Sequence, residues 1–313
     1  MAAKRSGFDG LDAARIMPAT FMAPARGGTR LSRVAIFTDS ASDLDPVLAA
    51  AGGIAIVPLL VNFGTESFKA GVDLSIGAFW ERMVAPDAPF PTTAASSPGE
   101  FKEAYEAAFA AGADAIVSIH VAGTLSGTIK SAQIASDMLP DRDIFIVDSL
   151  GASMAEGILA QLAVRLAGEG RAAADIAEVL ESRVPDMRIY LALETLAYLK
   201  KGGRISGAQA AIGTLLSVKP IIRVQDGVVD TIDRVRTRAK ARERLIDLIC
   251  ERPIERLSIL HTMSPDVEAF RDAVLARAAG GLDPADVSID LVGASVGPHV
   301  GPGCVGAAIL YRA

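Results

Sequence analysis

Apolar runs and helical stretches alternate along the first half of the chain. Val34–Phe37 is a short apolar run that ends in Thr38-Asp39-Ser40, the pattern of a strand buried on both faces. Helical periodicity follows over 43–51, then Gly52-Gly53, then a second apolar run, Ile54–Leu59. Further helices are predicted over 75–84, 98–111, 126–139 and 152–167, and further strands over Ala115–Ile119 and Ile144–Val147. Buried strands separated by helices imply a parallel sheet with helices on both faces.

The pattern changes after residue 187. Arg188–Leu193 and Lys219–Val224 read as strands, and Asp226-Gly227 between two β-rich runs is a hairpin signal. Helices are predicted over 207–217, 237–250 and 265–278, and strands over Leu257–Leu260, Val287–Val292 and Val305–Leu310. Hairpins mixed with helices suggest an α+β unit with a mixed or antiparallel sheet. The expected organisation is therefore an α/β/α domain over 33–187 and a smaller α/β domain over 188–313, packed closely enough to leave a cleft. Residues 1–32 are rich in arginine and lack the continuous apolar core of a signal peptide, so they are expected to form a disordered extension.

Composition narrows the function. The 37 acidic against 31 basic residues argue against nucleic acid as the main partner. No apolar run is long enough to span a membrane. Cys250 and Cys304 lie far apart and form neither a disulfide framework nor a metal-ligand spacing, which fits a reduced, cytoplasmic protein. His120, His261 and His299 are too scattered to define a metal site. No cofactor motif is present.

Four segments carry candidate chemistry. Thr38, Asp39 and Ser40 follow the first strand, where ligands collect in open α/β sheets, although helix capping explains them equally well. Thr93 sits in the hydroxyl-rich run 92–97, whose Ser97 and Glu100 make a capping box. The run 122–128 opens a helix with small residues, and Ser126, Gly127 and Thr128 offer hydroxyls and backbone N–H groups to a modest anion. It lacks the lysine of a phosphate-binding P-loop. His299 stands in Gly297-Pro298-His299-Val300-Gly301-Pro302-Gly303, a constrained setting that would position an imidazole. No GxSxG elbow is present, but an acyl-ester hydrolase or transferase using Ser126 or Thr93 with His299 as base stays open.

In order, the segments TDSASDLD (38–45), VPLLVNFG (57–64), TTAASSPGEF (92–101), SIHVAGTLSGT (118–128), VDSLGASMAEG (147–157), the run 196–222, VRTRAKA (235–241) and PHVGPGCVG (298–306) resemble the DegV family. That family includes the FakB-type fatty-acid-binding subunit of bacterial fatty acid kinase. The resemblance implies a three-layer α/β/α domain with a parallel sheet beside a smaller α/β domain with a mixed sheet. It also implies one long-chain fatty acid in a tunnel between them, and no enzymatic activity in this chain. The family's carboxylate-binding threonine, serine and histidine fall on Thr93, Ser126 and His299. The chemistry would belong to a separate ATP-binding kinase subunit, with Lys200, Lys201 and Arg204 as candidate docking cations. A lipid-responsive regulator is the non-kinase alternative. Two positions depart from the family pattern: Ala94 replaces a serine, and Ala122-Gly123-Thr124 replaces Ser-Ser-Lys.

Overall fold

The computed structural model describes residues 33–205, 218–278 and 281–313. The helix expected over 207–217 and the extension over 1–32 lie outside these residues.

Among the described residues the strands form three sheets. The strands β1 (Val34–Asp39), β2 (Ile54–Val57), β6 (Ala115–His120) and β7 (Ile144–Asp148) form a parallel sheet in the order β2-β1-β6-β7. Every residue of β1 and β6 is buried, as their uninterrupted apolar character requires. Alternate residues of β1 serve opposite faces. Ala35 and Phe37 pack with Phe101, Tyr105 and Ala132 from helices α3 (Pro98–Ala110) and α4 (Thr128–Asp137). Val34 and Ile36 face α5 (Met154–Gly168) and α6 (Ala173–Arg183). The sequence pattern gave no sign of α6, because its alanines and glutamates mark its buried stripe weakly.

The second sheet is mixed and runs β10-β9-β8-β13-β11-β12. Its strands are β8 (Met187–Ala192), β9 (Lys219–Gln225), β10 (Val228–Val235), β11 (Ile254–His261), β12 (Val287–Leu291) and β13 (Val305–Tyr311). All neighbours are antiparallel except β11 and β12. Helices α8 (Arg238–Ile249) and α9 (Val267–Arg277) cover one face through Leu245, Ile249 and Phe270. The other face turns toward α5, whose side chains also pack on β1 and β6. Held between two sheets, α5 keeps little solvent face, and ten of its fifteen residues are buried. The hairpin expected at Asp226-Gly227 joins β9 and β10; both residues have positive φ, 51° and 73°, as a two-residue turn demands. Its tip docks on the first sheet's loops: Gly227 N donates to Leu150 O at 2.8 Å, and Thr124 Oγ1 donates to Gly227 O at 2.5 Å.

A small antiparallel sheet, β4-β3-β5, was not expected. Residues 54–59 do not form one strand. Pro58 has no N–H to continue the ladder, and β2 stops at Val57. The chain re-enters as β3 (Leu60–Phe63), which pairs with β4 (Glu66–Lys69) and β5 (Thr92–Ala94). Helix α2 (Ile76–Met83) seals it with Phe79 and Trp80, and Trp80 Nε1 reaches Val292 O beyond β12. This sheet is what presents Thr93.

Candidate functional site

A pocket lies between the loops at the carboxyl ends of the parallel strands and the mixed sheet. The mixed sheet contributes Ile189 and Leu191 of β8, Ile222 and Val224 of β9, Val229 of β10 and Leu260 of β11. The loops opposite contribute Ala41, Leu59, Val121, Leu125 and Ala152. The aliphatic wall explains how a chain with so few aromatics builds a large apolar surface.

Polar groups enter from separate segments. Thr93 Oγ1 and His299 Nε2 are 3.2 Å apart. His299 sits on a short helical turn (α10, Gly297–Val300) between β12 and β13, where a loop was expected. It packs against α7 (Ala197–Lys201) and the Gly202 that follows. Burial, and then the positive charge of Arg204, hold the His299 imidazole down to about 4, so it is neutral near pH 7. Arg204 itself lines the cavity. Its Nε donates to Leu125 O at 2.9 Å and one terminal nitrogen donates to Gly202 O at 2.7 Å. These bonds place the guanidinium beside the segment that carries Ser126, another lining residue.

Of the three cations expected at a docking surface, Arg204 lines the cavity. Lys200 and Lys201 are exposed, and Lys201 Nζ stands 5.0 Å from the Phe90 ring centroid. The chain then turns at Gly202-Gly203, with φ +71° at Gly203, and Arg204 points inward. In sequence the three cations read as one solvated run; only the glycine pair between them hinted at a reversal.

The supporting residues divide. Ser126 Oγ bonds Thr128 Oγ1 at 2.7 Å and accepts from Thr128 N, while Gly127 is the N-cap of α4. Ser40 Oγ accepts from Leu59 N and bonds Ser295 Oγ, both at 2.8 Å, and so braces two lining residues. Thr38 and Asp39 do not line the cavity; both are fully buried beneath it. Asp39 accepts from Ala41 N at 2.8 Å, from Val121 N at 3.2 Å and from His120 Nδ1 at 3.0 Å. Thr38 Oγ1 and Asp39 N both donate to Glu156 Oε1. Burial first, then the charge of Asp39, push the Glu156 carboxyl well above the usual range, which favours its protonated form.

Ligand atoms of Asp39, His120 and Glu156 lie within 4.8 Å of one another. They are engaged with each other and with backbone N–H groups, and a proton shared between the two carboxyls suits this closed setting better than a cation. The same region contains a Ser-His-Asp sequence of contacts, Ser118 Oγ to His120 Nε2 at 2.8 Å and His120 to Asp39. All three are fully buried and Tyr105 OH donates to Ser118, so no substrate reaches that serine. In the cavity, Ser126 bonds Thr128 rather than His299, and the buried His299 Nδ1 has no orienting acceptor.

The two departures from the family pattern fall outside the cavity wall. Ala94 is exposed on β5, where alternation turns it away from the face of Thr93. Thr124 secures the hairpin tip.

The DegV family profile, described as "Uncharacterised protein, DegV family", matches residues 33–312. The chain belongs to the DegV family. A DegV domain-containing protein of Caldanaerobacter subterraneus is 33% identical over 280 residues, covering 88% of this chain and 98% of that protein. A fatty-acid-binding DegV family protein from Thermus thermophilus superposes with a TM-score of 0.82 at 33% identity, covering 90% of this chain and 100% of that one. A stearic acid-binding protein from Eubacterium ventriosum superposes with a TM-score of 0.80 at 26% identity, covering 89% and 98%. The mixed α/β architecture of the DegV fold is thus shared. Among the described residues no helix is long and apolar enough to cross a membrane.

Gly202 gives a direct test of the polar cluster. A Cβ there would lie 2.1 Å from His299 Nδ1, while its backbone conformation is ordinary for any residue. Gly202→Ala is expected to dislodge the imidazole from Thr93 and weaken carboxylate binding by roughly ten- to a hundredfold, the value of one hydrogen bond to a charged group. Calorimetric titration with a long-chain fatty acid, with circular dichroism to confirm the fold, checks this.

Proposed function

We propose that this DegV family chain binds one long-chain fatty acid in the cavity and presents its carboxyl to a separate ATP-dependent kinase subunit. The observation that carries the first part is the convergence of Thr93, Ser126, Arg204 and His299 on one aliphatic pocket. Each methylene buried contributes about 0.8 kcal/mol, so ~14 methylenes offer about 11 kcal/mol before the ordering costs of binding. A carboxylate cannot be buried without partners. Arg204 supplies the positive charge, because His299 is neutral; Thr93 and Ser126 supply hydroxyl donors.

Presentation to a kinase rests on the family resemblance and on the exposed Lys200 and Lys201 next to Arg204. The γ-phosphoryl group of ATP would pass to a carboxylate oxygen, giving an acyl phosphate and ADP. This chain contributes no reacting group to that step.

Native mass spectrometry of the purified protein tests the binding function. A long-chain acid at one copy per chain is expected, and its loss in the Thr93→Ala, Ser126→Ala double variant with the fold retained. A chain that neither retains nor takes up such an acid would overturn the reading. Lipid binding without acyl phosphate formation, when a fatty acid kinase subunit and ATP are added, would leave a lipid-responsive regulator in place of the kinase substrate carrier.

A further inference from the structure

Asp43 takes no part in the headgroup cluster, yet it lies where both walls of the pocket meet. It follows the turn after β1 and has φ +55°, in the left-handed region that a non-glycine residue enters at a cost. Its carboxyl is buried and bridges two segments. Ser153 Oγ donates to Oδ2 at 2.6 Å, and Gly293 N donates to Oδ1 at 2.9 Å. Ser153 lines the pocket just before α5, on the side of the parallel sheet. Gly293 follows pocket-lining Val292 and precedes pocket-lining Ser295 and Val296, on the side of the mixed sheet. The position leaves little slack, since a Cβ on Gly293 would lie 2.8 Å from Oδ1.

We propose that Asp43 is the positioning residue that ties the two walls of the lipid pocket together, and that its ionisation state sets how fast the lipid leaves. The proposal rests on the fatty-acid-binding function above. Both bonds run from a donor into the carboxyl, so both are strongest when it is ionised. Opposing ionisation are burial and the charges of Asp290 on β12 and Asp39 on β1. Beyond Asp39 stand His120 and Glu156, and beside Asp290 stands His261. Asp45, two residues on, is engaged with Val47 N and Leu48 N at the start of α1 (Pro46–Ala51). The balance puts Asp43 at about 7, with burial the largest cause. Above that pH the carboxylate holds both walls. Below it the proton weakens the bond from Gly293 and requires Ser153 to reverse its hydroxyl and accept. On this proposal the walls part for an acyl chain to enter or leave, and protonation lowers the barrier to release. His299, held down to about 4, does not change charge in this window.

The experiment is stopped-flow release of a fluorescent long-chain fatty acid into excess albumin, from pH 6 to pH 8. Release by the wild type is expected to be about fivefold faster at pH 6 than at pH 8, because the protonated form releases about tenfold faster, the difference between a charge-assisted and a neutral hydrogen bond, and about a tenth of the chains hold the other form at either end of this range. Asp43→Asn cannot ionise; its release should be independent of pH over this range and as fast as the wild type at pH 6. Carbon-13 NMR of the Asp43 carboxyl in the wild type should titrate at the same midpoint as release, a readout that survives if the variant fails to fold. A flat wild-type profile, a variant that keeps the wild-type profile, or a carboxyl midpoint displaced from that of release would overturn the proposal. Failure of the wild type to bind the fatty acid at any pH would instead overturn the function on which it rests.

Discussion

Replacing Arg204 by methionine is expected to lower affinity for a long-chain fatty acid by at least about a hundredfold, with little change in thermal stability. Methionine keeps the length and apolar stem of the side chain and removes only its charge and donors. The imidazole of His299 cannot take over, because burial and Arg204 itself keep it neutral. An ionised ligand carboxylate would then enter an apolar cavity with only hydroxyl partners. Leaving one member of a buried ion pair uncompensated costs about 3–5 kcal/mol, or roughly two to four decades in the dissociation constant. Arg204→Lys should fall between the two, since an ammonium keeps the charge but loses the planar fork that bonds Leu125 O and Gly202 O together. Lys200→Met, on an exposed neighbour, is the control and should leave affinity unchanged. Displacement of a fluorescent fatty acid measures all three. Unaltered affinity in Arg204→Met would remove the guanidinium from the headgroup site.

Arg204 also shows where a sequence stops being informative. The strands of the parallel sheet were legible because each is a closed apolar run, and the hairpin at Asp226-Gly227 because only certain residues tolerate two successive positive φ angles. Such signals are local. Thr93, Ser126 and His299 were marked by their loops and then by the family motifs, and the structure places all three around one cavity. The direction of Arg204 depends on a turn at Gly202-Gly203 and on acceptors far away in sequence. The clamp at Asp43 depends on Gly293, 250 residues on. Thr38 and Asp39 were expected to support the ligand site, with helix capping as the alternative, because a buried carboxylate and a ligand-binding one look alike in sequence. What separates them is Glu156, which reads in sequence as an ordinary polar interruption of an apolar helix. The β3–β4 hairpin was missed because Pro58 joins two apolar runs whose break is visible only in the pairing of their backbones.

The paired carboxyls beneath the cavity should respond unequally to the same chemical change. Asp39→Asn is expected to destabilise the fold by about 1–3 kcal/mol for each buried donor it leaves without an acceptor. Asp39 accepts three hydrogen bonds, from Ala41 N, Val121 N and His120 Nδ1. An asparagine amide group in place of either oxygen points a donor at a donor. It also takes the receiving carboxylate away from the proton on Glu156. Glu156→Gln should do the opposite. The buried Glu156 Oε2 accepts no hydrogen bond, as an atom carrying a proton toward Asp39 would not, and an amide nitrogen there keeps a donor in place. The sign of the pH dependence follows from the raised carboxyl. The folded state binds the Glu156 proton more tightly than the unfolded chain, so the wild type is favoured most in acid. It loses that advantage as pH climbs from the ordinary carboxylate range toward the raised value. Glutamine has no proton to lose, and Glu156→Gln should be at least as stable as the wild type at pH 7, with its relative stability rising from pH 5. Urea unfolding of both variants at pH 5 and pH 7 measures this. Equal destabilisation by the two substitutions would mean that Glu156 is ionised in the fold. The effect should reach the cavity as well, because Ala41 and Val121, the backbone donors that Asp39 holds, both line it. A folded population of Asp39→Asn should therefore bind fatty acid more weakly than Glu156→Gln, although neither carboxyl touches the ligand.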